Sequence, residues 1–132
     1  LNEYKTLGLP YDQKVLEATE GLWCNMLHLH GKVVFFSLLR LFNFQIVNWH
    51  DRETYPSLAE AKNLFKGTLC GGLRQDSLVF EDQLKVKEET EDAIRQTKGQ
   101  RFILGTGCVV PVTASHGNIM TAIKSISAGG DK

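Results

Sequence analysis

Apolar and polar positions alternate along this chain in a way that separates helices from strands. Between Tyr11 and Gly21 the apolar residues Val15, Leu16 and Ala18 fall on a helical spacing, with Pro10 ahead as a start signal and Gly21 behind as a stop. Leu22 to Gly31 is short, apolar and closed by glycine, which predicts a strand, and the mixed apolar segment Lys32 to Phe42 predicts a helix. Phe44 to Trp49 is β-branched and aromatic and predicts a second strand, running into the polar loop His50 to Pro56. Ser57-Leu-Ala-Glu60 has the form of a capping box and opens a helix through Phe65. A third strand is predicted over Lys66 to Gly72, and the longest helix over Glu81 to Lys98. Arg101 to Gly105 is the fourth strand; after the loop Thr106 to Thr113, Ser115 is placed to cap a closing helix through Ile126.

Four strands alternating with helices, each strand ending in a polar or glycine-rich turn, define an α/β fold with a parallel sheet and crossover helices. Two architectures meet that pattern: a small doubly wound sheet, and half of a (β/α)8 TIM-type barrel, whose whole takes about 250 residues. No linker or low-complexity tract divides the chain, so residues 1–132 read as a single domain.

Composition narrows the function. Lys+Arg and Asp+Glu both total 15, a balance that argues against a phosphate-backbone binder and hence against nucleic acid. The longest apolar run, Val33 to Phe36, is far short of a membrane span, so no membrane association and a cytoplasmic location are expected. Cys24, Cys70 and Cys108 are odd in number and widely spaced, which points to reduced thiols or a metal ligand rather than a disulfide scaffold. The chain starts at Leu1 and reads as a piece of something longer.

The sharpest chemical feature is Leu27-His28-Leu29-His30-Gly31. Residues two apart on a strand share a face, so His28 and His30 project together from the carboxyl end of a parallel strand, where sites in such folds lie. The pair reads either as metal ligands or as two hydrogen-bonded histidines. Cys108, in the turn Gly105-Thr-Gly-Cys-Val-Val-Pro111 after another strand, lies at the same edge; it is either a third ligand or a small buried hydrophobe. Two imidazoles and a thiolate are donors that zinc accepts, with a fourth position left open. Asn48-Trp-His-Asp-Arg-Glu53 ends the second strand and reads as a substrate-binding turn or a solvated loop, with Arg52 able to clamp a carboxylate or phosphate. Asn48, His50 and Arg52 are the candidate catalytic groups; Gly71, Gly72, Gln75 and Thr106 are the candidate substrate contacts, the glycines because they let a ligand approach the backbone. The charged face of the long helix reads as solvated, with i,i+4 pairs such as Lys85–Glu89.

Taken in order, Asn48-Trp49, Gly71-Gly72-Leu73, the ending Arg101-Phe-Ile-Leu-Gly-Thr-Gly-Cys-Val-Val-Pro111 and Asn118 make a sequence that resembles the uroporphyrinogen decarboxylase superfamily over nearly its whole length. The resemblance implies the last four βα units of a (β/α)8 barrel. The decarboxylases of that superfamily carry a Gly-His-Gly segment where this chain has Gly105-Thr106-Gly107. The corrinoid-linked methyltransferases instead hold zinc through a His-x-Cys on one strand and a Cys on the last; His28 and Cys108 match, and His30 stands at the cysteine position. Two neutral imidazoles and one thiolate would leave zinc at net +1, more electrophilic than with two thiolates. The resemblance therefore implies zinc-dependent methyl transfer from a donor such as a methylated corrinoid, carried on a corrinoid protein, to a thiol-type small molecule. The alternatives are decarboxylation of a porphyrinogen-like polycarboxylate without metal, and an inactive half-barrel. Half a barrel exposes two strand edges, with Trp23, Phe44 and Phe102 on or near them, so either the amino-terminal half or a homodimer mate is the expected cover.

Overall fold

The computed structural model describes residues 1–128. In chain order the elements are α1 (Asn2–Leu7), α2 (Leu9–Glu17), β1 (Met26–Leu29), a 3-10 helix (Phe36–Leu41), β2 (Ile46–Trp49), α3 (Leu58–Leu64), β3 (Thr68–Leu73), α4 (Ser77–Phe80), α5 (Gln83–Thr97), β4 (Phe102–Thr106) and α6 (His116–Ala128). All four strands pair in parallel in the order β1-β2-β3-β4. The order never reverses, which corrects the doubly wound alternative: such a sheet has a switch point where successive strands step in opposite directions. A sheet wound one way, with α3 and α5 packed on each other and both on β3, has the form of part of a (β/α)8 barrel. Among the described residues β1 and β4 each have one strand neighbour, leaving two open edges, and no helix is long and apolar enough to cross a membrane.

The helix-facing side of the sheet is the core. Leu27, Leu29, Val47, Trp49, Leu69, Phe102 and Leu104 alternate along their strands and pack with Leu58, Ala61 and Ala93 from α3 and α5. Trp49 is fully buried; its indole N–H donates to the Pro56 carbonyl at 2.8 Å and its ring meets Phe36 edge-on at 5.1 Å between centroids. Phe44 stacks on Phe65 at 5.0 Å and is buried, so it belongs to this core and not to an open edge. Trp23, 93% exposed, precedes β1 and is not part of a strand.

Local signals explain where helices begin and end. The capping box closes at both ends: Ser57 Oγ accepts from the Glu60 amide, and the Glu60 carboxylate accepts from the Ser57 amide at 2.9 Å. Asp82 caps α5 by accepting from Lys85 N at 2.9 Å. In α5 the residues Val86, Thr90, Ala93 and Thr97 form one fully buried stripe, and the two threonine hydroxyls are satisfied by the carbonyls of Val86 and Ala93. Lys98 and Gly99 end it with φ of 55° and 62°.

The amino-terminal third departs from the expected pattern. Helix begins at Asn2, is interrupted at Gly8 and ends at Glu17, and neither α1 nor α2 has a buried residue. The expected helix over Lys32 to Phe42 is a short 3-10 helix, because the β-branched and aromatic run Val33-Val-Phe-Phe36 resists a regular first turn. The four residues of α4 are too few to carry a period.

Candidate metal centre at the carboxyl edge of the sheet

Parallel register sets the site. His28 on β1 lies level with Asn48 on β2, which lies level with Cys70 on β3. Asn48 is 6% exposed, and its amide nitrogen donates to the carbonyls of Cys70 at 2.9 Å and Thr106 at 3.0 Å. Both partners are acceptors, so Asn48 Oδ1 faces His28 Nδ1, 2.6 Å away, as an acceptor too. His28 must then carry its proton on Nδ1, which leaves the Nε2 lone pair free for a metal. Asn48 is thus a positioning residue: its polar atoms are engaged by the sheet and by His28.

Two residues further along, just past the last paired residues Leu29 and Trp49, come His30 and His50. The structure brings His28, His30, His50 and Cys108 together, with one donor atom from each lying within 4.8 Å of the others. The imidazole centroids are 5.8 Å apart for His28 and His30, 5.3 Å for His30 and His50, and 6.3 Å for His28 and His50. Zinc bonds of about 2.0–2.1 Å to nitrogen and about 2.3 Å to sulfur place tetrahedral donors about 3.3–3.7 Å apart. The 4.8 Å limit on the cluster is wider than that spacing, and its three imidazoles and one thiol are donors suited to zinc. His28 and His30 are exposed, while His50 and Cys108 are half-buried. The sequence pattern found three of these groups. It placed His50 among catalytic residues instead, although its position at the end of the neighbouring strand, in phase with His30, was the available signal.

Cys108 reaches the cluster through a close backbone approach. A Cβ on Gly107 would stand 2.8 Å from His50 Cα and 3.1 Å from the Trp49 carbonyl, so only glycine lets the β4 loop lie against the end of β2. Gly107 N donates to Leu73 O at 3.1 Å, and the buried Thr106 hydroxyl donates to the Cys108 carbonyl. Thr106, expected as a substrate contact, shapes the turn that carries Cys108.

Three further expectations are corrected. Arg52 donates through Nε to Gly72 O at 2.9 Å, through Nη1 to Asp92 at 2.5 Å and through Nη2 to Glu89 O at 2.6 Å. It bolts the β2 loop to α5 and is not a free anion clamp. Gly71 and Gly72 are buried and make room for protein, not ligand: a Cβ on Gly71 would collide with Asp51, and one on Gly72 would stand 2.6 Å from Ala93 Cβ, at a φ of +101°. Glu89, expected in a solvated ion pair with Lys85, is buried and accepts from Ser77 Oγ at 2.9 Å and Arg74 N at 3.1 Å; Lys85 lies 3.6 Å from Glu88 instead.

Three further groups carry more information. Asp51 accepts from the Gly72 amide at 3.0 Å, yet burial pushes its pKa up to about 6, outweighing that bond and the nearby Arg52 charge. Burial, with Asp51 close by, also raises the Cys70 thiol, which disfavours its thiolate. Gln75 shares a small recess with His50, Arg52 and Gly107, and its Oε1 is buried with no hydrogen-bond partner. Beside the cluster, an apolar groove of about 530 Å³ runs along the open edge of β1 between Leu16, Leu29 and Phe42, with His28 and His30 among its walls.

No curated protein matches the chain. The uroporphyrinogen decarboxylase (URO-D) family model matches residues 1–128. With that match running from α1 through α6, the chain belongs to the uroporphyrinogen decarboxylase family.

Proposed function

We propose that this chain carries a zinc-dependent methyl-transfer site acting on a thiol-type small molecule, with a methylated corrinoid on a partner protein as the donor. The observation that supports it is the convergence of His28, His30 and Cys108 at the carboxyl edge of the sheet, with the His28 tautomer fixed by Asn48. When bound there, zinc supplies positive charge that keeps a substrate thiol in its nucleophilic thiolate form at neutral pH. The protein's part is to hold the donors and to seat the acceptor's apolar body in the adjoining groove of about 530 Å³. Thr106, where the superfamily's decarboxylases are expected to carry histidine, has its hydroxyl committed to Cys108 O and offers no general acid.

The test is metal content after exhaustive dialysis, followed by single-turnover methylation of a simple thiol by methylcobalamin with the zinc-loaded chain. About one zinc per chain and thiol-ether formation that disappears in His28→Ala and Cys108→Ser is the expected result. Metal-free protein with intact thiols, or unchanged turnover in both variants, would overturn the reading.

A further inference from the structure

We infer that His50 is the fourth ligand of this centre, and that Gln75 Oε1 is the acceptor that orients it. The inference rests on the zinc reading above and goes beyond it, since three ligands were all that reading needed. Three observations carry it. His50 offers a ring nitrogen inside the same 4.8 Å cluster as the other donors. Its backbone is held in place, with its carbonyl accepting from Glu53 N at 2.9 Å and Thr54 N at 2.8 Å, and with Gly107 pressed against its Cα. Ligating histidines need a partner for the other ring N–H, and the one buried side-chain acceptor left unpaired among the described residues, Gln75 Oε1, lines the same recess as His50.

The resting centre is then three imidazoles and one thiolate tying together the ends of β1, β2 and β4, and a substrate thiolate would enter it as a fifth donor. Asn48 orients His28, and Gln75 orients His50. The two positioning residues come from different elements: Asn48 from within β2, Gln75 from the turn after β3.

Cobalt(II) titration of the full chain tests this without reference to activity. The unsubstituted protein is expected to give the intense d–d bands of a four-coordinate ion together with a thiolate-to-cobalt charge-transfer band. His50→Ala should keep the charge-transfer band, because Cys108 remains, but change the d–d envelope and weaken cobalt binding at least about tenfold. Gln75→Leu should keep both bands and weaken binding about 10- to 100-fold, as loss of an orienting partner does. His50→Gln, closer in size and polarity, guards against a folding defect in the alanine variant, and far-UV circular dichroism checks both. Spectra and affinity unchanged in His50→Ala and His50→Gln would overturn the inference while leaving the three-ligand reading in place. Absence of cobalt and zinc binding by the unsubstituted chain would remove both.

Discussion

The two ends of the chain build their share of the sheet in opposite ways. From β2 to α5 the molecule is a packed layer: Val47, Trp49, Leu58, Ala61, Val86 and Ala93 are fully buried, and polar groups such as Glu89 and Thr90 have found partners inside it. From α1 to β1 it is a loose one: α1 and α2 bury no residue, Leu7, Tyr11 and Val15 are each more than 60% exposed, and Leu27 and Leu29 reach the core only in part. Amphipathic pattern suffices to form helices in both, but only the β2-to-α5 region has a surface to lay them on. The candidate metal centre joins the two, with His28 and His30 on the loose side and His50 and Cys108 on the packed side.

The largest effect that separates the halves is a core truncation. Trp49→Ala is expected to cost about 3–5 kcal/mol in chemical denaturation, through lost packing and the orphaned Pro56 carbonyl, whereas Val15→Ala in α2 should stay within about 0.5 kcal/mol. Equal costs would erase the contrast. Zinc should reduce it: at a free concentration about 100 times the dissociation constant, binding stabilises the fold by about 2.7 kcal/mol. Hydrogen exchange should then slow at the amides of β1 more than at those of β2. Protection confined to β2 would mean that His28 and His30 take no part.

A third measurement probes the packed side alone. Because Asp51 has a folded pKa of about 6, above the ordinary carboxyl value of 3.8, the folded state binds its proton more tightly than the unfolded chain. Its effect on stability is therefore most favourable below about pH 4 and is lost as pH rises from 4 through 6. Asp51→Asn, which keeps an acceptor for the Gly72 amide, should flatten that part of the stability profile. A profile unchanged by this substitution would place the titration elsewhere. The smallest expected effect is at α3, where Ser57→Ala removes one side of the capping box and should cost about 1 kcal/mol.

Legibility followed distance along the sequence and not this divide. The four strands, the capping box and the long helix were readable because each rests on a local period or a cap within a few residues. His28, His30 and Cys108 were readable because strand parity and strand ends are local too. What escaped depended on neighbours distant in sequence. Arg52 looked like a free guanidinium until α5 supplied Asp92 and Glu89, and Glu89 looked solvated until Ser77 and the Arg74 amide met it. Gly71 and Gly72 announced a close approach correctly but not its occupant, which is Asp51 in one case and Ala93 in the other. His50 needed the β1–β2 register, which no single-strand pattern contains.

The Asn48 amide touches all four strands, since it lies on β2, faces His28 on β1 and donates to the backbone of β3 and β4. Its two ends differ by a single atom type, so its orientation acts as a one-way valve for protonation: nitrogen toward the later strands forces oxygen toward the first, and the imidazole there has no choice of tautomer. Replacing that nitrogen by oxygen, the smallest change in shape available, would leave an acceptor facing His28 but set acceptor against acceptor at the Cys70 and Thr106 carbonyls, so the group that holds the imidazole would lose its own anchorage. The tautomer of a histidine on an edge strand is in this way set by backbone carbonyls of β3 and β4.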